Sequence, residues 1–240
     1  MSDPFDSPVL ALDTSVAVAV SVVDDGQVLA AYAADAPRQQ AELLAPLVSR
    51  AMTDSGTDVG DLCAVVVGTG PAPFTGLRVG LVTARTFALA SGVPVHGVCS
   101  LDALALGAAR DLDLAVGSDV LVVTDAKRRE VYWARYRVTD AGGARGVTTT
   151  VGPGVGAAAA LVEDGTAAGT VVVGPAAATH GDALAAVADV RTDGPTTPDP
   201  ALLVELASAA LARGEELPTT PLYLRRPDAQ VPGARKRATG

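Results

Sequence analysis

Short apolar runs separated by turn residues make up most of residues 1–33. The run at 9–12 is uniformly apolar and ends at Asp13, a valine-rich run at 16–23 follows, and a third run covers 27–33. Apolar runs of this length are typical of buried strands. The dipeptide Asp25-Gly26 separates the second and third runs, and it favours a tight hairpin whose turn needs positive φ angles. The pattern therefore predicts an antiparallel meander of three strands.

In residues 38–54 the spacing of apolar positions becomes that of a helix. Their apolar stripe recurs at three-to-four spacing and consists of Leu43, Leu44, Leu47, Val48, Ala51 and Met52. Pro46 lies inside this stripe and predicts a kink or a late helix start, because it lacks an amide donor and crowds the preceding turn. Gly56 is a suitable end for the helix.

A second helix is predicted over 76–90, with Thr75 as its N-cap. It carries a row of small residues four apart, namely Gly76, Gly80, Ala84 and Ala88. Such a row lets another backbone approach closely, and Gly80 lowers helix propensity by about 1 kcal/mol relative to alanine, so close packing should compensate for it. Two interpretations are open, since the row can pack against the protein's own sheet or against a helix of another subunit.

Strands are predicted at 63–67 and 93–98, and a helix capped by Ser100 runs to about residue 110. The order of a hairpin followed by strands and helices then begins again. The second copy has strands at 120–124, 131–138, 147–151 and 170–173, short helices at 157–162 and 180–188, and a helix at about 199–213 opened by Asp199-Pro200. Asp13 ends the first strand of one copy, and Asp125 ends that of the other.

This duplication indicates an α/β protein with a two-lobed, actin-like ATPase (ribonuclease H-like) fold. We expect an N-terminal lobe at 1–110 and a C-terminal lobe at 111–226, whose last helix can pack back on the first lobe. Residues 227–240 are rich in basic side chains and lack apolar periodicity, so we expect a disordered basic tail.

Composition excludes several classes of protein. The net charge is −9 and aromatic residues are 3% of the chain, which opposes nucleic-acid binding by this chain on its own. Two cysteines and two histidines exclude a disulfide framework and a local His-rich metal motif, so we expect no metal site. Apolar runs are too short for a membrane span, and the N-terminus lacks a basic signal region. We expect a cytoplasmic protein without membrane partners.

The sequence does not contain the phosphate-binding motifs that an ATPase of this fold would need. The two strand-end turns, Asp13-Thr14-Ser15 and the turn after Asp125, contain no glycine, although phosphates approach backbone amides most easily where no Cβ intervenes. The segment 70–76 has five residues between its glycines and is followed by Leu77-Arg78, so it does not match a phosphate loop. Arg78 either points to an acidic partner or pairs locally, and we expect the local salt bridge.

Four motifs resemble one family. Residues 9–15, V-L-A-L-D-T-S, resemble the start of the bacterial TsaB (YeaZ) proteins, and residues 67–80, V-G-T-G-P-A-P-F-T-G-L-R-V-G, resemble their signature G-x-G-P-G-S-F-T-G-L-R-x-G. The stretches D-A-K-R-R-E-V-Y at 125–132 and P-L-Y-L-R at 221–225 are similar to the family's D-A-R-x-x-E-V-Y and P-x-Y-L-R. The family's Gly-Ser before phenylalanine is Ala72-Pro73 here, which stiffens the loop.

The resemblance implies a non-catalytic paralogue of TsaD, the protein that transfers threonylcarbamoyl onto the adenosine next to the anticodon of ANN-decoding tRNAs. It implies TsaD and the ATPase TsaE as partners, a homodimer in isolation, tRNA contact only through the complex, and no cofactor bound by this chain alone, with ATP or ADP and metal on the partner subunits. The degenerate phosphate-turn positions would be Asp13, Thr14, Ser15 and Asp125. The signature loop would comprise Gly68, Gly70, Phe74, Thr75, Gly76 and Arg78.

Family interfaces use the two helices of the first lobe, here at about 38–54 and 76–90. The implied interface residues are Leu43, Leu44, Leu47, Gly76, Leu77, Gly80, Ala84, Phe87 and Ala88. Two other functions stay as alternatives to a scaffold subunit. One is a small-molecule kinase or ATPase of the same superfamily, which glycines at both phosphate turns would have favoured. The other is a peptidase, which the absent metal motif opposes.

Overall fold

The computed structural model describes residues 4–35 and 39–225, which form two five-stranded sheets with helices on both faces. The first sheet has the order β3-β2-β1-β4-β5. Its strands are β1 (Val9–Asp13), β2 (Val18–Asp24), β3 (Gln27–Ala34), β4 (Ala64–Gly68) and β5 (Val95–Val98). The predicted meander is confirmed, because β1, β2 and β3 pair antiparallel in sequence. Asp25 and Gly26 form its turn with φ angles of 45° and 71°.

The second sheet repeats this arrangement, with the order β10-β9-β6-β7-β8. Its strands are β6 (Asp119–Asp125), β7 (Glu130–Ala141), β8 (Ala144–Ala157), β9 (Val171–Val173) and β10 (Asp189–Val190). In each sheet the first strand of the copy, β1 or β6, lies at the centre between an antiparallel and a parallel neighbour. The described residues therefore have the two-lobed, duplicated α/β architecture of the actin-like fold, as the sequence pattern predicts.

Six α-helices lie within the described ranges. They are α1 (Gln40–Ser55), α2 (Phe74–Ser91), α3 (Ser100–Asp111), α4 (Ala158–Glu163), α5 (Ala177–Leu184) and α6 (Pro200–Ala212). Two of them, α3 and α6, each pack on the sheet of the other copy. Helix α6 packs on the first sheet, where Leu203 lies in one apolar cluster with Val9 and Val66. Helix α3 packs on the second sheet, where Leu104 contacts the cluster of Val120 and Val122.

The other helices cover the remaining faces. Side chains alternate between the two faces of each central strand. Leu10 and Leu12 of β1 therefore pack with α1 and α2, and Leu121 and Val123 of β6 pack with α4 and α5. Each central strand is thus buried on both sides, which explains why β1 and β6 are continuously apolar rather than alternating. A division of the chain at residue 110 follows the duplication, but α3 and α6 each belong structurally to the other lobe.

Several local predictions are wrong in detail. Helix α1 begins at Gln40 and continues through Pro46, so the proline does not delay the start of the helix. Thr75 is not the N-cap of α2, because the helix already begins at Phe74, after Pro73. Ser100 is the first residue of α3 rather than its cap, which is Cys99.

The last helix ends the regular structure. The predicted cap is confirmed, since Asp199 accepts a hydrogen bond from the Ala201 amide and Pro200 occupies the first turn. After α6 the chain runs extended to Arg225, and we call residues 214–225 the C-terminal strap. The tail predicted at 227–240 lies outside the described residues. Among the helices of the described ranges, none combines the length and apolar character that a bilayer crossing requires.

The exchange of α6 predicts that the first sheet depends on a helix far along the chain. Leu203 is fully buried between α6 and this sheet, so Leu203→Ala should lower the free energy of unfolding by about 2–5 kcal/mol. Leu29→Ala is the matched control, because Leu29 is 41% exposed and should cost about 1 kcal/mol or less. Urea unfolding measures both variants, and equal losses would contradict the packing described here.

Candidate functional site

A cleft of about 800 Å³ lies between the two lobes, at the ends of the central strands. The first lobe contributes the turn after β1, part of the signature loop and Gln40 of α1, and the second lobe contributes the turn after β6. The lining residues are Thr14, Ser15, Val16, Gln40, Ala72, Pro73, Thr75, Gly76, Thr124, Asp125, Lys127 and Pro175. The structure therefore brings both strand-end turns and two signature-loop residues, Thr75 and Gly76, to one cavity.

Asp13, at the end of β1, is fully buried and its carboxylate is satisfied by neighbouring donors. Its Oδ1 accepts bonds from the Ser15 amide at 2.7 Å and the Ser15 hydroxyl at 2.6 Å. Its Oδ2 accepts the Ser100 hydroxyl at 2.5 Å, and Ser100 Oγ in turn accepts the Gly70 amide at 3.1 Å. Burial raises the pKa of the Asp13 carboxyl, while the bonds from Ser100 and Ser15 act in the opposite direction.

This carboxylate therefore binds parts of its own chain. Gly68, the last residue of β4, packs so closely that a Cβ there would lie 1.8 Å from Asp13 Oδ2. Gly68 must therefore be a glycine, because any side chain at this position would clash with Asp13. No group of three or more His, Cys, Asp or Glu side chains in the described part of the chain is arranged to hold a metal ion. Both Asp13 carboxylate oxygens accept hydrogen bonds from residues of this chain.

Thr14 fills the space that the small-residue row opens. Its hydroxyl donates to the Gly76 carbonyl at 2.8 Å, and a Cβ at Gly80 would lie 2.4 Å from the same Oγ1. Ala84 and Ala88 continue the row into the core of the first lobe. The row therefore packs against the protein's own strands and the turn after β1, which is the first of the two interpretations.

This placement corrects part of the implied interface. Leu44, Leu77, Gly80, Ala84 and Ala88 are buried within the first lobe and present no surface to another subunit. Gly76 is half-buried against the Thr14 carbonyl. The half-buried Leu43, Leu47 and Phe87 lie at the outer side of the same core, and an interface role for these three stays a prediction.

The second strand-end aspartate is exposed and arranged differently. Asp125 accepts bonds from the Lys127 amide at 2.7 Å and from Lys127 Nζ at 2.6 Å. Partial burial alone would raise the pKa of Asp125, but the hydrogen bonds from Lys127 bring it below its usual value. Both turns thus share one feature, an aspartate that accepts the amide hydrogen of the residue two positions later, as Asp13 does from Ser15.

The C-terminal strap joins the signature loop to the second lobe. The Tyr223 ring packs against the Phe74 ring in a tilted arrangement with centroids 4.7 Å apart, and its hydroxyl accepts a hydrogen bond of 2.9 Å from Arg78 Nε. Arg225 forms an ion pair with Glu130, the first residue of β7. Arg78 therefore binds the strap, and among the described residues it has no local salt bridge of the kind we expected. Residues of the motifs at 67–80, 125–132 and 221–225 are therefore connected along the C-terminal strap.

Backbone bonds hold the strap against the first sheet. The Gly97 amide donates to Leu217 O at 3.0 Å, and the Leu222 amide donates to Thr69 O at 3.0 Å. A Cβ at Gly97 would lie 2.4 Å from the Pro218 carbonyl, so this glycine gives the strap room. Sequence reasoning missed the roles of Gly97 and of Ser100, whose partners lie far away in the chain.

The contact between Gly80 and Thr14 predicts an unusual substitution effect. Alanine normally stabilises an exposed helix relative to glycine by about 1 kcal/mol. Gly80→Ala should instead lower the free energy of unfolding by about 1–3 kcal/mol, because its Cβ displaces the buried Thr14 side chain. Gly60→Ala, at a position with no atom within 4 Å of the new Cβ, is the control. Stabilisation by Gly80→Ala in thermal unfolding would refute the contact.

Comparisons with known proteins agree with this architecture. The model of the family described as "TsaD: tRNA N6-adenosine threonylcarbamoyltransferase" matches residues 33–171. An uncharacterized protein of Mycobacterium tuberculosis H37Rv is 44% identical over 231 residues, which cover 93% of this chain and 94% of the relative. The tRNA threonylcarbamoyladenosine biosynthesis protein TsaB of Escherichia coli is 38% identical over 130 residues, 54% of each chain.

A solved structure shares the fold along nearly the whole chain. YeaZ from Pseudomonas aeruginosa has a TM-score of 0.70 at 26% identity and covers 89% of this chain and 97% of its own. A second Pseudomonas aeruginosa structure, described as similar to peptidase YEAZ, has a TM-score of 0.72 at 29% identity and covers 91% of this chain. Family model, curated relatives and solved structures coincide, so this chain belongs to the TsaB (YeaZ) family of TsaD-related proteins.

Proposed function

We propose that this chain is a non-catalytic scaffold subunit that pairs with TsaD, and with TsaE, for threonylcarbamoylation of the adenosine next to the anticodon in ANN-decoding tRNAs. Relatives named for tRNA threonylcarbamoyladenosine biosynthesis support the pathway, because the family to which the chain belongs carries that name. The observation that carries the scaffold role is the buried Asp13, whose oxygens are used within the chain. In this role the protein acts in the cytoplasm, where tRNA resides, and meets tRNA only as part of the complex.

The state of the two turn amides supports the non-catalytic role. In actin-like enzymes the corresponding turns hold phosphates with free backbone N–H groups, a chemistry that glycine-rich turns favour. Here the Ser15 and Lys127 amides donate to Asp13 and Asp125 instead. These two amides are therefore not available to a nucleotide phosphate. We propose that ATP or ADP and metal bind to the partner subunits and that this chain alone binds no cofactor.

The outer side of α1 and α2 is the proposed contact surface for TsaD and for a second copy in isolation. Val82 is 60% exposed and Leu89 is 84% exposed, although both are large apolar residues on a helix. Separately, the two helices border a groove of about 640 Å³ whose lining includes Val48, Met52 and Phe87. Exposed apolar side chains and an apolar groove on the same pair of helices favour coverage by another protein.

The two alternatives receive no comparable support. A small-molecule kinase or ATPase would need turn amides that are free to bind phosphate, and those of Ser15 and Lys127 are occupied. A peptidase would need clustered catalytic or metal-binding side chains. Within the described ranges, no three His, Cys, Asp or Glu side chains come together in that way.

Leu89→Arg tests the proposal without disturbing the core. Because Leu89 is exposed, the variant should fold normally, while an arginine at the contact would weaken association about hundred-fold, or roughly 2.8 kcal/mol. Sedimentation measures self-association, copurification measures TsaD binding, and nucleoside analysis measures threonylcarbamoyladenosine in tRNA. All three should decrease together.

Val116→Arg is the matched control, since Val116 is 53% exposed but follows α3 in the other lobe. It should fold, associate and support the modification as the unaltered protein does. A Leu89→Arg variant that is folded by circular dichroism and still binds TsaD would refute this surface. Unchanged tRNA modification in cells that lack the chain altogether would refute the proposed function itself.

A further inference from the structure

The outer face of α2 alternates arginines with exposed apolar residues. Arg78, Val82, Arg85 and Leu89 are spaced by four, three and four positions, which places them along one side of the helix. All four are exposed, and we call them the α2 stripe. The proposed contact surface therefore carries two positive charges among its apolar side chains.

The two arginines of the α2 stripe have no carboxylate partner among the described residues. Arg78 Nε donates to the Tyr223 hydroxyl, as described above. Arg85 donates from Nε to Thr219 Oγ1 at 2.9 Å and from Nη2 to the Thr219 carbonyl. These acceptors are neutral, so both positive charges remain uncompensated. Other described arginines form ion pairs with acidic side chains, including Arg50, Arg110, Arg135 and Arg191.

The stability of α2 does not account for these charges. Its sequence contains no acidic residue, so no ion pair three or four positions apart can form within the helix. Arg78 lies near the N-terminal end, where the helix dipole opposes a positive charge. Acidic side chains are abundant elsewhere, because residues 1–224 contain twenty-six of them against thirteen basic ones. A helix with two arginines and no acid therefore favours contact with another molecule.

The C-terminal strap holds the Arg78 side chain in a fixed orientation. Its guanidinium carbon lies 5.6 Å from the centroid of the Phe74 ring and 5.5 Å from that of Tyr223, within the range of a cation–π contact. The hydrogen bond to Tyr223 uses Nε, and within the described part of the chain both terminal nitrogens lack a hydrogen-bond partner. Two terminal nitrogens match the two oxygens of a carboxylate. Arg78 is therefore oriented to bind a carboxylate with little further loss of side-chain freedom.

The spacing of the α2 stripe defines the chemistry of the partner. Arg78 and Arg85 are seven residues apart, so their Cα atoms are separated by about 10.5 Å along the helix axis. Two acidic residues seven positions apart on another helix have the same separation, and apolar side chains of that helix can cover Val82 and Leu89. An RNA backbone can pair with the arginines, but its charged phosphates leave the apolar side chains uncovered. The stripe therefore fits an amphipathic protein helix with acidic residues along one edge.

A second copy of this chain does not match the α2 stripe. Its own α2 contains no carboxylate, so packing α2 against α2 would place arginines opposite arginines. The acidic residues of α1 are Glu42 and Asp54, twelve positions apart, and Asp54 already binds Tyr32 and Arg50. Like charges opposed across an interface disfavour the wrong partner. Self-association through the same helices would therefore depend on their apolar side chains and not on the arginines.

We propose that Arg78 and Arg85 bind carboxylates of a partner protein, and that they thereby favour an acidic amphipathic helix of that partner over a second copy of this chain. This inference rests on the proposed function, in which the partner is TsaD. Because acidic side chains predominate over the rest of the chain, the two arginines also determine the orientation in which an acidic partner approaches.

The salt dependence of partner binding tests the proposal. The affinity of the full chain for purified TsaD is measured by calorimetry at about 50 and about 500 mM NaCl, since screening of exposed charges increases strongly over this range. Arg78→Gln with Arg85→Gln should weaken TsaD binding at least about ten-fold at the lower salt concentration. The difference from the unaltered protein should shrink at the higher concentration. Self-association, measured by sedimentation, should not weaken.

Matched variants separate charge from structure, because both arginines also contact the strap. Arg78→Lys with Arg85→Lys keeps the charge without the forked geometry and should bind TsaD more tightly than the glutamine variant does. Arg191→Gln with Arg213→Gln removes two charges elsewhere on the surface and should bind TsaD as the unaltered protein does. A glutamine variant that is weakened equally at both salt concentrations would have lost structure and not a charge contact, which would overturn the proposal.

Three further outcomes would also overturn it. The first is equal TsaD affinity for the glutamine variant and the unaltered protein, and the second is an equal loss of TsaD binding and self-association. The third is unchanged TsaD binding with weaker binding of a tRNA transcript by the complex, which would assign the arginines to RNA.

The proposed function has its own readout in the same experiment. If the unaltered chain does not bind TsaD, the proposed function fails, and the carboxylate contact fails with it. If the unaltered chain binds TsaD and the glutamine variant binds equally well, only the carboxylate contact fails.

Discussion

The buried carboxylate of Asp13 connects the parts of this protein that determine its shape. It lies at the end of the central strand β1 and accepts bonds from Ser15 and from Ser100, the first residue of the helix that covers the other sheet. Ser100 also accepts the amide hydrogen of Gly70 in the signature loop. A buried charge is costly unless it is hydrogen-bonded. The loop, the turn after β1 and the start of α3 must therefore keep their positions to satisfy one side chain.

This requirement gives several residues of the signature motif a role in packing. Gly68 leaves room for the Asp13 carboxylate, and Gly80 leaves room for Thr14. Phe74 and Arg78 hold Tyr223 of the C-terminal strap, which continues to Glu130 in the second lobe. Residues of the signature motif thus connect the two lobes through the C-terminal strap. Such a fixed shape is compatible with the proposed scaffold role.

Local patterns predicted much of the fold, because their causes are local. Asp25-Gly26 indicates the hairpin through its positive φ angles, and Asp199-Pro200 indicates the start of α6 through capping. The small-residue row was ambiguous, because periodicity shows that something packs closely on a helix and does not show what. Its partner proved to be Thr14, which lies far away in the sequence. The position of Ser100 beside Asp13 could not be predicted for the same reason, and a serine before a helix resembles a cap.

ATP hydrolysis by the purified chain tests the central claim most directly, because the claim is that both strand-end aspartates serve the chain's own structure. The account predicts phosphate release no faster than in a protein-free blank, with Mg²⁺ present and at any ATP concentration. Asp125→Asn, at the exposed turn, should leave this result unchanged. Sustained hydrolysis that disappears in Asp13→Asn, with the fold intact by circular dichroism, would contradict the account.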